Sequence, residues 1–111
     1  MKLSAVVITY NEAQNIERCL KSLSFCDEIV VIDSQSQDNT RELALKYTSK
    51  VFTKPWRGYA AQKNDAISLA SFDWVLSVDA DEEVTPALKQ EILSVIQDND
   101  FSGFLILKTN F

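Results

Sequence analysis

Apolar residues along this chain alternate between two spacings. Leu3 to Thr9 is a short β-branched run, and after it Ile16, Cys19, Leu20 and Leu23 fall at the i, i+3, i+4, i+7 positions of one helical face. Glu28 to Asp33 (EIVVID) is apolar on consecutive positions, as in a strand covered on both faces. Thr40 to Thr48 then puts Leu43, Ala44 and Tyr47 on one side of a helix. Lys50 to Thr53 predicts a brief strand closed by Pro55, Tyr59 to Ala70 a helix after Gly58, and Asp73 to Val78 (DWVLSV) another buried strand. Pro86 suits the first turn of a helix whose apolar stripe is Leu88, Ile92, Val95 and Ile96. A loop from Asp98 to Ser102 and Gly103 precede a last strand, Phe104 to Leu107. Strands alternating with helices predict an α/β fold: a doubly wound, mainly parallel sheet with helices on both faces. No repeat, linker or low-complexity stretch divides residues 1–111, so one domain is expected.

Composition supports a folded domain and removes several chemistries. With 111 residues, 46% hydrophobic and 24% charged, the chain can bury a core without disulfide or metal staples. A net charge of −5 supplies no electrostatic footprint for a nucleic acid. The absence of histidine excludes Ser-His-Asp and Cys-His catalysis and every histidine-containing metal site. Two glycines, Gly58 and Gly103, cannot build a G-x-G-x-x-G or Walker-A loop. Cys19 and Cys26 fit no C-x-x-C pattern, Cys19 reads as a small core hydrophobe, and a reducing, cytoplasmic setting is the natural expectation. Leu3 to Tyr10 is followed by Asn11, Glu12, Gln14 and Asn15 rather than a signal-peptide cleavage site, and no apolar run is long enough to span a bilayer. Any membrane contact would be peripheral.

In open α/β sheets ligands bind beyond the carboxyl ends of the strands. The first strand here ends in Thr9-Tyr10-Asn11-Glu12, the second in Asp33-Ser34-Gln35-Ser36-Gln37-Asp38, and the fourth in Asp79-Ala80-Asp81-Glu82-Glu83. Asp79 and Asp81, one residue apart at a strand end, can face one ligand where the backbone turns, and hard carboxylate oxygens suit Mg²⁺ or Mn²⁺ shared with substrate phosphates. The alternative is a solvated acidic turn, Asp81 to Glu83, that favours the next helix N-terminus. Asp33 ends its strand too early to cap the following helix, so it is expected to face a ligand, whereas Asp38 or Asn39 is expected to be the cap. Thr9 and Asn11 also suit turn and capping roles. Lys63 on the helix after Gly58 is either solvated or a phosphate contact. Trp56 and Tyr59 flank Arg57-Gly58, where aromatics lid the core or line a sugar pocket, and Trp74 reads as core.

Four motifs in order carry a family resemblance: VVITYNE at 6–12, EIVVIDS at 28–34, Gln62-Lys63-Asn64, and DWVLSVDADE at 73–82. Together they resemble the N-terminal part of family 2 glycosyltransferases of the GT-A fold, and are most similar to the bacterial lipopolysaccharide-core β-glucosyltransferase group. The resemblance implies an inverting, metal-dependent transfer of a hexose from a nucleoside diphosphate sugar, with UDP-sugar as the expected donor, to a glycan or lipid-linked lipopolysaccharide-core acceptor at the inner face of the cell membrane. It places Thr9, Tyr10, Asn11, Glu12 and Asp33 around a uracil-like base, Asp79 near the ribose, Asp81 on Mg²⁺ or Mn²⁺, and Lys63 near the nucleotide. It also implies a catalytic carboxylate beyond Phe111, so that no catalytic residue is expected within this chain, and a shortened face through which copies could self-associate. Relatives usually carry glycine in the loop after the second strand, where this chain has none, so a left-handed residue there would be less comfortable. Two rivals stand beside this reading. One is a non-catalytic nucleotide-binding or assembly domain; the other is an Mg²⁺-dependent aspartyl phosphotransferase using Asp79 as nucleophile.

Overall fold

All the apolar runs set beside one another as strands of a single parallel sheet. The computed structural model describes residues 2–97 and 103–106. Its elements are β1 (Leu3–Thr9), α1 (Ile16–Ser22), β2 (Glu28–Asp33), α2 (Thr40–Ala44), β3 (Val51–Thr53), α3 (Tyr59–Leu69), β4 (Trp74–Asp79), α4 (Pro86–Gln97) and β5 (Gly103–Ile106). The sheet order is β3-β2-β1-β4-β5, and every pairing is parallel. The order therefore reverses between β1 and β4, which in doubly wound sheets is where a crevice opens.

Register and the two-residue alternation of strands sort the core into two faces. Ala5 lies between Ile29 and Leu76, and Val7 between Val31 and Val78. These rows pack against Ile16, Cys19, Leu20 and Leu23 around α1, Ala44 of α2, and Ile92 and Ile96 of α4. Val6, Val30, Ile32 and Val75 point the other way, against Ala66 of α3. Helices thus cover both faces, three on one and a single helix on the other. Cys19 and Trp74 are buried in the first cluster, as expected.

Some boundaries differ from the sequence pattern. The second helix stops at Ala44 rather than Thr48, because the chain tightens through Lys46 N–H to Leu43 O and Tyr47 N–H to Ala44 O. Tyr47 and Thr48 then leave the helix face, donating to Glu17 and to the Ile29 carbonyl at 2.7 Å each. On α4, Ile92 and Ile96 are buried but Val95 is exposed, so the stripe is narrower than expected. The last strand is Gly103–Ile106; Leu107 and the loop Asp98 to Ser102 lie outside the described residues.

Candidate functional site

The end of β1 and the turn after β4 border a cleft of about 260 Å³, lined among others by Tyr10, Glu12, Tyr59, Asp79 and Asp81. The turn is held from within. Glu82 is buried, accepts the Asp79 N–H at 2.8 Å through Oε1, and donates its own N–H to the Asp79 carbonyl at 2.9 Å. Beneath it the Cys19 thiol lies 3.6 Å from the same carbonyl. Burial, then the carboxylates of Glu82, Asp81 and Asp79, push that thiol up to about 12, so it stays an S–H donor. The solvated acidic turn is therefore only partly right: Asp81 and Glu83 are exposed, while Glu82 is a structural bracket.

Asp79 Oδ1 receives two partners from α3. The Tyr59 hydroxyl donates to it at 2.7 Å, and the Lys63 ammonium lies 3.4 Å away while also bonding Ser77 Oγ. The ammonium also stands 5.2 Å from the Tyr59 ring centroid. Partial burial and then the Asp79 carboxylate raise the Tyr59 phenol, so it remains a donor. Lys63 is thus not a solvated surface lysine.

Asp33 is at the same sheet edge as Asp79, since Thr9 pairs with Asp33 and Ile8 with Asp79. The alternation nevertheless sends the two carboxylates to opposite faces. Asp33 is fully buried. Its oxygens accept from Thr9 Oγ1 at 2.6 Å, Ser36 N at 2.8 Å and Ser36 Oγ at 2.5 Å, with Arg41 at 3.7 Å. Thr9 is buried with it. This network holds the loop after β2, in which Gln35 adopts φ 61°. The left-handed position is present without glycine, offset by the bonds around it. Asn11, at φ 49°, donates its N–H to Ser36 Oγ and accepts the Gln37 N–H at 2.8 Å each. Glu12 donates its N–H to Thr40 Oγ1 at 2.9 Å, and Asp38 accepts the Thr40 N–H at 3.0 Å just ahead of α2, whose N-cap position is Asn39.

A second cavity of about 440 Å³ lies alongside, lined by Tyr10, Ser34 and Trp56. Tyr10 therefore borders both spaces. Behind Ser34, the buried Gln62 of α3 donates through Nε2 to Ser34 Oγ at 2.7 Å. Ser34 and Gln62 were not singled out as site residues by the sequence pattern, whereas Trp56 and Tyr59, read as aromatics that lid the core or line a pocket, do border these cavities. Gln62-Lys63 stands in a motif of the resemblance, and that was the available signal.

The donor set fits one kind of metal. Among the described residues no three His, Cys, Asp or Glu side chains converge as a cage. Asp81 is exposed, and Asp79 keeps its second oxygen without a hydrogen bond among the described residues. One or two carboxylates completed by water and phosphate is the habit of Mg²⁺ and its like.

The family sequence model described as Glycosyl transferase family 2 matches residues 4–107. An "Uncharacterized glycosyltransferase" of Rickettsia felis is 42% identical over 105 residues, covering 94% of this chain and 37% of that protein. The lipopolysaccharide core biosynthesis glycosyltransferase LpsC of Rhizobium meliloti is 36% identical, covering 90% and 39%. This chain therefore spans little more than a third of the length of these curated relatives. Among solved structures, S. aureus TarS 1-349 in complex with UDP-GlcNAc superposes with a TM-score of 0.71 at 29% identity, over 88% of this chain and 32% of that one. M. tuberculosis glucosyl-3-phosphoglycerate synthase in complex with Mg²⁺ and UDP gives 0.64 at 26% identity, over 74% and 35%.

Proposed function

The chain belongs to glycosyltransferase family 2, and from that premise we propose that it is the donor-binding part of an inverting, metal-dependent enzyme transferring a hexose from UDP-sugar to a glycan or lipopolysaccharide-core acceptor. The observation carrying this reading is the cleft at the strand-order reversal, where the braced Asp79-Ala80-Asp81 turn meets Tyr10 across the ends of β1 and β4. The UDP-sugar and Mg²⁺ complexes of the structural neighbours support the donor and a divalent ion, and the likeness to LpsC supports the acceptor class. No helix among the described residues is long and apolar enough to cross a membrane.

In this reading Tyr10 stacks on the base, while Thr9 and Asp33 act from beneath, holding the loop that walls the base pocket. Asn11 and Glu12 keep the β1 end and the loop after β2 in register. Asp79 accepts from the ribose through its free oxygen, and Lys63 offsets its charge. Asp81, with Asp79 beside it, would hold Mg²⁺ or Mn²⁺, which when bound supplies charge neutralisation for the departing diphosphate. In the whole enzyme a carboxylate outside this chain would take the acceptor hydroxyl's proton.

Calorimetry tests the reading directly. UDP is expected to bind at least about tenfold more tightly with Mn²⁺ or Mg²⁺ than with chelator, and Asp81→Ala is expected to remove that difference while leaving thermal stability within about 0.5 kcal/mol, as for an exposed position. Equal UDP affinity with metal and with chelator would overturn the metal-dependent reading.

A further inference from the structure

Charge is unevenly distributed along the chain, and the net −5 conceals it. From Arg41 to Lys63 there are six basic residues and a single acid, Glu42, while the rest of the chain carries five bases and fifteen acids. Most of those bases surround β3, which pairs only with β2 and forms the outer edge of the described sheet. Lys50 and Lys54 flank the strand, and Arg41 of α2 reaches Thr53 Oγ1 at 3.3 Å. The ion pairs here share one polarity. Arg41 with Asp33, Lys50 with Glu28 and Arg57 with Asp65 each turn the cation outward, 41–54% exposed, and hold the acid at 20% or less. At the cleft the sense is reversed, with Lys63 at 15% behind Asp79 at 47%. Lys46 and Lys54 make no ion pair among the described residues. Between these cations stand three exposed apolar side chains, Leu45, Phe52 and Trp56.

We propose that the β3 edge is a docking surface for an anionic lipid bilayer, its cations meeting headgroups and its apolar side chains entering the acyl boundary. Lysines that only guard an edge strand from pairing would account for Lys50 and Lys54. They would not account for a leucine, a phenylalanine and a tryptophan left in water beside them. Cations interleaved with aromatic and aliphatic side chains are what an interfacial surface requires. A second copy fits worse, since an isologous contact would set this basic edge against itself. The acidic turn after β4 does not cancel the attraction, because β4 is three strand spacings from β3, roughly 14 Å, and the screening length is about 10 Å at about 0.1 M salt. Trp56 also borders the cleft and the cavity beside it, so docking here brings their mouth to the lipid surface. The inference goes beyond the nucleotide-sugar reading and does not depend on it.

The test is cosedimentation of the 111-residue chain with vesicles of phosphatidylcholine alone and with vesicles carrying about 30% phosphatidylglycerol, at about 0.1 M salt. Binding should be at least about tenfold tighter to the anionic vesicles and should be lost at about 0.5 M salt. Lys46→Gln with Lys54→Gln should weaken it by about fivefold or more, whereas Lys2→Gln with Lys21→Gln, the same change in net charge at exposed positions elsewhere, should stay within about twofold. Tryptophan fluorescence reads the orientation, since Trp74 is buried and Trp56 is exposed. Anionic vesicles should move the emission to the blue, and Trp56→Phe should abolish that shift. No preference for the anionic vesicles, or equal weakening by the two double variants, would overturn the proposal. Binding without a spectral shift would overturn the β3 edge as the face that docks. Dimerisation that shifts the Trp56 emission in the absence of vesicles would overturn the bilayer in favour of a second copy. Failure to bind UDP would overturn the nucleotide-sugar reading alone, because the vesicle measurements contain no nucleotide.

Discussion

Tyr59 and Lys63 stand one helical turn apart on α3, so a single face of that helix brings a phenol and an ammonium to the same oxygen of Asp79. The phenol fixes the carboxylate's orientation and the ammonium offsets its charge, while the other oxygen has no hydrogen bond among the described residues. Tyr59→Phe removes one hydrogen bond to a partly exposed acid, so stability should fall by less than about 1 kcal/mol. UDP affinity should fall about threefold to tenfold as Asp79 loses its hold. Tighter UDP binding by Tyr59→Phe would mean that the phenol competes with the ligand for Asp79. At this scale the sequence showed which polar residues end strands. It did not show that Asp33 would be consumed internally, because its partners Thr9 and Ser36 come together only when β1 and β2 pair.

Two elements carry more than their own length. α3 begins at Gly58, whose φ of 100° and ψ of 155° lie where side-chain-bearing residues are strained, although a Cβ there would meet no atom within 4 Å. Gly58→Ala should therefore cost about 1–3 kcal/mol through backbone strain alone, seen as a lowered urea midpoint. Nucleotide affinity should fall too, since Tyr59, Gln62 and Lys63 all follow from that start. At the opposite, amino edge of the sheet, Glu28 accepts from Ser4 Oγ at 2.6 Å, Ser71 N at 2.7 Å and Ser71 Oγ at 2.8 Å, and pairs with Lys50. Burial opposes its ionisation, but Lys50 and the serine bonds outweigh burial and bring its carboxyl down to about 2. A depressed carboxyl stabilises the fold fully above its unfolded value near 4.5, and the contribution is lost as pH falls from there toward 2. Glu28→Gln should cost on the order of 2–3 kcal/mol at pH 7. Urea titrations of both proteins should show that gap closing between pH 4.5 and 2; a gap independent of pH would refute the assignment. EIVVID reads as a buried strand, and the pattern gives no hint that its first residue ties β1, β2 and the approaches to β3 and β4 together.

Across the whole molecule the two faces of the sheet are unequal. One is packed by α1, α2 and α4, the other by α3 with a much smaller cluster. Val7 and Val6 are neighbours on β1, both fully buried, one facing each cluster. Identical truncation should therefore cost more where three helices hold the walls apart than where a single helix can settle. Val7→Ala is expected to lose about 2–3 kcal/mol and Val6→Ala about 1–2 kcal/mol in denaturant unfolding. A reversed order would show that the α3 face is the more tightly packed. At the same scale, a family whose members run to nearly three times this span leads us to expect donor binding to separate from transfer. The 111-residue chain should bind UDP with metal, yet give no product in a radiolabelled transfer assay with lipopolysaccharide-core acceptors. Robust turnover would place the catalytic carboxylate inside it.

By itself the sequence determined the order of strands and helices, the edge at which the polar residues gather, and the motifs that mark the family. Each of these is local: periodicity of two or 3.6 residues reports burial within one element, and a polar residue ending an apolar run is visible without its neighbours. Only the tertiary structure decided which carboxylates remain available. Asp33 and Asp79 end equivalent strands, yet the pleat turns one under the loop after β2 and the other toward α3. The Gln62–Ser34 and Tyr59–Asp79 bonds join residues 28 and 20 positions apart in the chain. Such pairs are set by strand register and by how a crossing helix lies on the sheet, quantities that exist only once separate elements have packed.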